Sequence, residues 1–161
     1  MRMTNKLAVL FILVVTIIGC AKRSDTDTQA INEACTLEME AARTAVLLRN
    51  KGKSKADLVQ TLPPVAESST RLLQQLHAIV EEVYTFPELN EVIYATYRFQ
   101  YCVRQLQHRF VPHNLQPIYN ELLACQQQYG NQASKESTVC VLNSFPQGAD
   151  IPAPAKHDSA L

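Results

Sequence analysis

Apolar residues recur at steps of three and four through most of this chain, and no stretch sustains the alternation of a strand. From about Asp27 to Asn50, Ala34, Leu37, Ala41, Ala45 and Leu48 fall on one face, and Gly52 follows as a C-cap. Alanines on that face would let a partner helix approach closely. Ser54 and Asp57 stand as a capping box for a short helix through about Leu62, where Pro63-Pro64 stop it and can start the next. Between Val65 and Tyr84, Leu72, Leu76, Ile79 and Val83 form a stripe, widened by Leu73 and Val80.

The start signal that follows is the clearest. Thr85 lies three before Glu88 as a capping box, Tyr84 and Leu89 flank it as a hydrophobic staple, and Pro87 belongs to the first turn. Leu89, Val92, Thr96, Phe99, Val103, Leu106 and Phe110 then alternate steps of three and four, the pattern of a bundle seam. Pro112 and the HNLQP segment end that helix. A further one is predicted from Gln116 or Pro117 to Tyr129, with Ile118, Leu122 and Cys125 on one side and Gly130-Asn131 closing it. NQASKEST reads as a polar loop, after which Cys140-Val141-Leu142 packs back. From Asn143 the chain holds Pro146, Pro152 and Pro154 with little apolar content, and disorder is expected. The fold class is all-α, a small bundle of about four helices.

The first nineteen residues belong to a different pattern. Arg2 and Lys6 precede LAVLFILVVTIIG, the n-region and h-region of a secretory signal. The uncharged stretch from Leu7 to Ala21 falls short of the roughly 20 residues of a spanning helix. Ile17-Ile18-Gly19-Cys20 resembles the lipobox of bacterial lipoproteins, with an aliphatic residue three before the cysteine and a small one just before it. The resemblance implies cleavage before Cys20 and diacylglycerol on its sulfur. It also implies, from Ala21 where an aspartate would favour the inner membrane, an outer-membrane anchor with the domain facing the periplasm. Several acyl chains, at about 0.8 kcal/mol per buried methylene, make such anchoring stable. The expected organisation is a signal peptide over 1–19, a lipidated tether over 20–28, a helical domain over 29–142 and a disordered tail over 143–161.

Composition then adjusts the picture. Lys and Arg total 15, as do Asp and Glu; removal of Arg2 and Lys6 leaves a net charge of about −2, which gives no reason to expect nucleic acid. Of the five cysteines, Cys35, Cys102, Cys125 and Cys140 remain for the fold. An even count in an oxidising compartment predicts two disulfides. Three pairings are possible. Cys35–Cys102 with Cys125–Cys140 is favoured, because the second closes a short loop through a polar turn and the first staples the first helix to a central one.

Ala34-Cys35, Arg49, Gly52, Tyr84, Pro87, Phe99 and Cys102 resemble, in type and spacing, small exported helical domains of proteobacterial proteins of unknown function. The likeness spans about Ile31 to Arg104. It implies a helical fold with Cys35 paired to Cys102, and no activity.

Candidate chemistry is sparse. Tyr94, Tyr97 and Tyr101 share a face at i, i+3 and i+7, which makes them candidates for an aromatic partner contact; ordinary packing with hydroxyls reaching water is the alternative. Arg43, Arg49, Lys51, Lys53 and Lys55 crowd the end of the first helix, a patch for an anionic surface or simply a solvated turn. His77, His108, His113 and His157 are scattered, and no metal is expected. Glu81 and Glu82 diverge around a helix and make a poor acid/base pair. GxSxG, SxxK and HExxH are absent from the sequence, and no catalytic residue or cofactor is expected. The expectation is a lipid-anchored envelope protein with a protein partner, adaptor-like or pilotin-like; a periplasmic inhibitor or immunity lipoprotein is the alternative.

Overall fold

The computed structural model describes residues 4–66 and 69–146, with side chains from residue 27 onward. The side chain of Cys20, the expected lipid carrier, and residues 147–161, most of the expected tail, lie outside the described residues. Six α-helices and no strand occur among those described: α1 (Thr4–Asn50), α2 (Lys55–Gln60), α3 (Arg71–Thr85), α4 (Glu91–Leu106), α5 (Tyr119–Tyr129) and α6 (Lys135–Ser144), with a 3₁₀ turn over Gln116–Ile118 before α5. None of these helices is long and apolar enough, among the described residues, to cross a membrane.

The chain divides into two compact units, Met1–Ala34 and Cys35–Leu161. In the first, the backbone is helical from Thr4, through the 20–28 stretch expected as a tether. No glycine or proline interrupts the chain from Ala21 to Asn50, so nothing in the backbone stops the helix there. Gln29 and Glu33 add an i, i+4 hydrogen bond at 2.8 Å.

The second unit holds the folded core. Helix α1 ends in a Schellman closure: Lys53 N–H donates to the Leu48 carbonyl at 3.1 Å and Gly52 N–H to Arg49 at 2.8 Å. Gly52 sits at φ 81°, so its lack of a side chain is needed there. Ser54 and Asp57 form the predicted capping box of α2. Helix α3 starts later than the prolines suggested, at Arg71 behind the Thr70 N-cap.

Three terminus readings are corrected. Thr85 does not open α4; it is the last residue of α3, its hydroxyl donating back to the Glu81 carbonyl at 2.8 Å. Pro87 disfavours helical geometry at Phe86, which ends α3, and α4 begins behind Asn90, whose Oδ1 accepts from Val92 and Ile93 N–H. The polar SKEST stretch is the start of α6. Ser134 and Ser137 exchange the two bonds of a capping box, at 3.1 and 3.0 Å. Asn143 and Ser144, expected in the tail, complete α6, and Phe145 beyond them is buried.

Both disulfides are present as favoured, Cys35–Cys102 from α1 to α4 and Cys125–Cys140 from α5 to α6. The rotation of the helices departs from the apolar pattern. In α1 the buried residues are Cys35, Glu38, Ala42, Ala45 and Val46, while Leu37 is 60% exposed. In α4 the buried face centres on Ile93, Tyr94, Tyr97, Arg98 and Cys102; Phe99, Val103 and Leu106 are half-buried and Phe110 is exposed. Each helix is turned so that a charged residue faces inward.

Candidate functional site

Glu38 of α1 and Arg98 of α4 meet at the centre of this arrangement. An Arg98 Nη2 donates to Glu38 Oε2 at 3.2 Å, and its Nη1 lies 3.4 Å from Glu82 Oε2 on α3. The same guanidinium donates to Gln75 and stacks over the Tyr101 ring, 4.8 Å from the centroid. Arg71 closes the outer edge, with Nη1 2.7 Å from Glu38 Oε1; this is an ion pair whose angle misses hydrogen-bond geometry, so that oxygen is otherwise unsatisfied. Burial pushes the Glu82 carboxyl up from its ordinary value, partly offset by Arg98 and the Tyr94 hydroxyl. Burial also disfavours the Arg98 charge, but Tyr94, Glu82, Tyr97 and Glu38 together hold its pKa above the ordinary value.

Tyr94, Tyr97 and Tyr101 belong to this interior, which corrects their reading as a partner surface. Tyr94 donates to Glu82 Oε2 at 2.9 Å, Tyr97 stacks on Phe145 at 5.7 Å, and Tyr101 lies under Arg98. Tyr94 and Tyr97 are fully buried, and burial raises both hydroxyl pKa values. The cluster pairs its charges internally and opens no space for a substrate.

The basic group at the end of α1 is also rearranged. Arg49 leaves it: Nη1 donates to the Val83 carbonyl at 3.0 Å and Nη2 to Leu89 at 3.1 Å, tying α1 to the α3–α4 turn. Tyr84 returns the tie, its hydroxyl donating to the Lys53 carbonyl. Lys55 pairs with Glu81, while Arg43, Lys51 and Lys53 remain exposed. His77 binds the Pro63 carbonyl at 2.8 Å, and His108 and His113 are exposed. Among the described residues no three His, Cys, Asp or Glu side chains converge for a metal.

A concave surface with mostly apolar walls lies elsewhere, between α1, α2 and α3. It encloses about 310 Å³ and is walled by Ala41, Ala45 and Leu48 on α1, Leu58 and Leu62 on and after α2, and Leu76, Ile79 and Val80 on α3. Polar groups in its lining are few: Glu40, Thr44 and Thr61, the last with its hydroxyl already donating to the Leu58 carbonyl. The stripe continues past the enclosed part. Leu37 stands four before Ala41 and Leu72 four before Leu76, and both are exposed. The contacts of Glu38 with Arg71 and of Arg49 with Val83 show that α1 and α3 run parallel, so the two stripes face one open channel. Leu37 to Leu48 spans about 16 Å at 1.5 Å per residue. Part of the apolar face first read as core, Ala41 and Leu48, walls this groove, while Ala45 between them is buried.

Comparison with protein-family models, curated proteins and solved structures finds no match to this chain.

Proposed function

We propose that this is a lipid-anchored cell-envelope protein, held by acyl chains on Cys20, whose helical domain holds a protein partner as an adaptor or pilotin does, without catalysis. The observation that carries the reading is the α1–α2–α3 groove. Its length of three helical turns and its branched apolar lining suit the apolar face of an amphipathic helix, read as anchors at i, i+3 or i+4, and i+7. Its polar lining is limited to Glu40, Thr44 and Thr61, which leaves the apolar walls as the main contact for the partner. The lipobox supports the anchor and the outer-membrane address.

The test places a photo-cross-linker at Thr44, exposed in the groove, and at Gln127, exposed on α5, in cells. Thr44 is expected to capture one envelope protein through a segment that maps to an amphipathic helix, and Gln127 is expected not to. Capture should vanish in Leu76→Asp, and equally in Thr44→Arg paired with a linker at Leu48, while both disulfides persist. Capture that survives these changes, or that yields only acyl chains, defeats the partner-helix reading. For the anchor, Cys20→Ala should leave an unprocessed precursor; fatty-acid labelling of that variant would refute the site.

A further inference from the structure

The last turn of α4 holds an arginine that no carboxylate among the described residues pairs with. Arg104 is only 8% exposed, and its guanidinium lies over the Phe145 ring, 4.7 Å from the centroid. Its Nε is buried with no hydrogen-bond partner, and no carboxylate among the described residues pairs with it. Arg98, six residues earlier on the same helix, lies between Glu38 and Glu82. Arg104 has no such neighbours.

The chain then doubles back through His108, at φ 55° in the left-handed region that favours glycine. Arg109 N–H donates to the Arg104 carbonyl at 2.8 Å and His108 N–H to Gln105 at 3.1 Å. This closure brings a second arginine to the same turn. Burial, and after it the charge of Arg109, lower the Arg104 pKa. A helix C-terminus and an aromatic face each favour a cation, but neither supplies a counter-charge to the Arg104 guanidinium, whose Nε is shut off from water while its outer nitrogens remain open to a ligand. The Val103, Arg104 and Gln105 carbonyls of this turn are moreover already engaged by the closure.

We propose that the C-terminal turn of α4 is a binding site for a phosphate-class anion, held by the guanidinium groups of Arg104 and Arg109. Phe145 fixes the Arg104 plane before the ligand arrives, which reduces the ordering needed on binding. Two guanidinium groups without an acid between them match a phosphate of nearly two negative charges; a single carboxylate leaves one cation unanswered. The phosphate is either free or a lipid headgroup. Helix α4 does not line the α1–α2–α3 groove, so this site is independent of the partner reading.

The test uses the full-length protein in micelles of dodecyl maltoside, a detergent without phosphate, and follows the arginine Nε–Hε NMR signals. Inorganic phosphate is titrated at constant ionic strength against chloride. Saturable shifts of Arg104 and Arg109 are expected, and Arg104→Met should weaken phosphate binding roughly tenfold or more. Arg104→Lys should recover only part, because an ammonium lacks the fork. Arg109→Met, at an exposed position, carries the same expectation if the Arg104 variant does not fold. Micelles doped with phosphatidic acid separate the sources: shifts from the dopant assign a headgroup, and shifts from inorganic phosphate alone assign the free anion. No saturable shift from either source, or unchanged binding in Arg109→Met and in any Arg104 variant that folds, overturns the proposal.

Discussion

Glu38 and Arg98 stand 60 residues apart in the chain and 3.2 Å apart in the core, both closed off from water. With Glu82, Gln75 and Arg71 they make a polar centre inside an otherwise apolar bundle, beside the Cys35–Cys102 bond; Arg71 Nη2 lies 3.7 Å from Cys102 Sγ. A pair of this kind adds little net stability as a unit, because desolvation offsets most of the attraction, but it is costly to break from one side.

Arg98→Met should therefore destabilise the fold by about 3–5 kcal/mol, since it leaves the Glu38 and Glu82 carboxylates without their cation. Arg71→Met, whose side chain is 34% exposed, should cost less, about 1–3 kcal/mol, because Glu38 keeps Arg98 while its Oε1 loses its ion-pair partner. Urea denaturation of the two variants checks the order. Equal losses would mean that the inner and outer cations are interchangeable.

Glu82 makes stability depend on pH. Its folded-state pKa is raised, chiefly by burial, with Arg98 and Tyr94 opposing the rise and Glu38 held on the far side of Arg98. The folded state therefore binds the Glu82 proton more tightly than the unfolded chain does. This contribution is fully present below the unfolded carboxylate pKa of about 4.3 and is lost as pH rises through the folded value. Glu82→Gln should remove that decline, so its stability relative to wild type should grow over this window. Thermal melts of both proteins across the acid range measure it, and parallel curves would count against the buried carboxylate.

Non-reducing peptide mapping should recover Cys35 joined to Cys102 and Cys125 joined to Cys140. In the chain-entropy model the longer loop contributes about 4 kcal/mol and the shorter about 3 kcal/mol. Paired Cys→Ser variants should lose stability in that order. A peptide joining Cys35 to Cys140 would contradict the structure.

Arg49 and Tyr84 lock two turns to each other, each reaching a backbone carbonyl across the gap. Arg49→Met removes two charge-assisted bonds, to Val83 and Leu89, and should cost about 1.5–3 kcal/mol. Tyr84→Phe frees one exposed carbonyl to water and should cost about 1 kcal/mol or less. Amide exchange of the α3–α4 turn is the sensitive readout: it should quicken in Arg49→Met before the rest of the bundle loosens.

The groove and the core exchange places in part with respect to the sequence. Ala41, Ala45 and Leu48 recur at helical spacing, so they read as a buried face; Ala45 is buried as read, but Ala41 and Leu48 wall the groove, and Glu38 and Ala42 join the core beside Ala45. On α4 the seam read through Phe99, Val103 and Leu106 gives way to one through Tyr94, Tyr97 and Arg98. Periodicity counts apolar residues, and it assigns a charged residue to solvent unless its partner is known. Glu38 and Arg98 become core residues only once each has the other. Helix α6 was missed for a smaller reason: its box uses Ser137 where a Glu or Gln is the usual mark, so its start read as loop.

What the sequence determined by itself is local. The helical class, the Gly52 closure, the Ser54 box and the expectation of two disulfides follow from spacing, propensity and an even thiol count, whereas the choice among three pairings was completed by the fold. What only the tertiary structure decided is how far each helix is rotated about its own axis, and with that which residues line the groove and which arginines lie buried. That rotation depends on pairs such as Glu38–Arg98 and Arg49–Val83, whose members are far apart in the chain; no local pattern carries a bond energy that exists only when both ends have met.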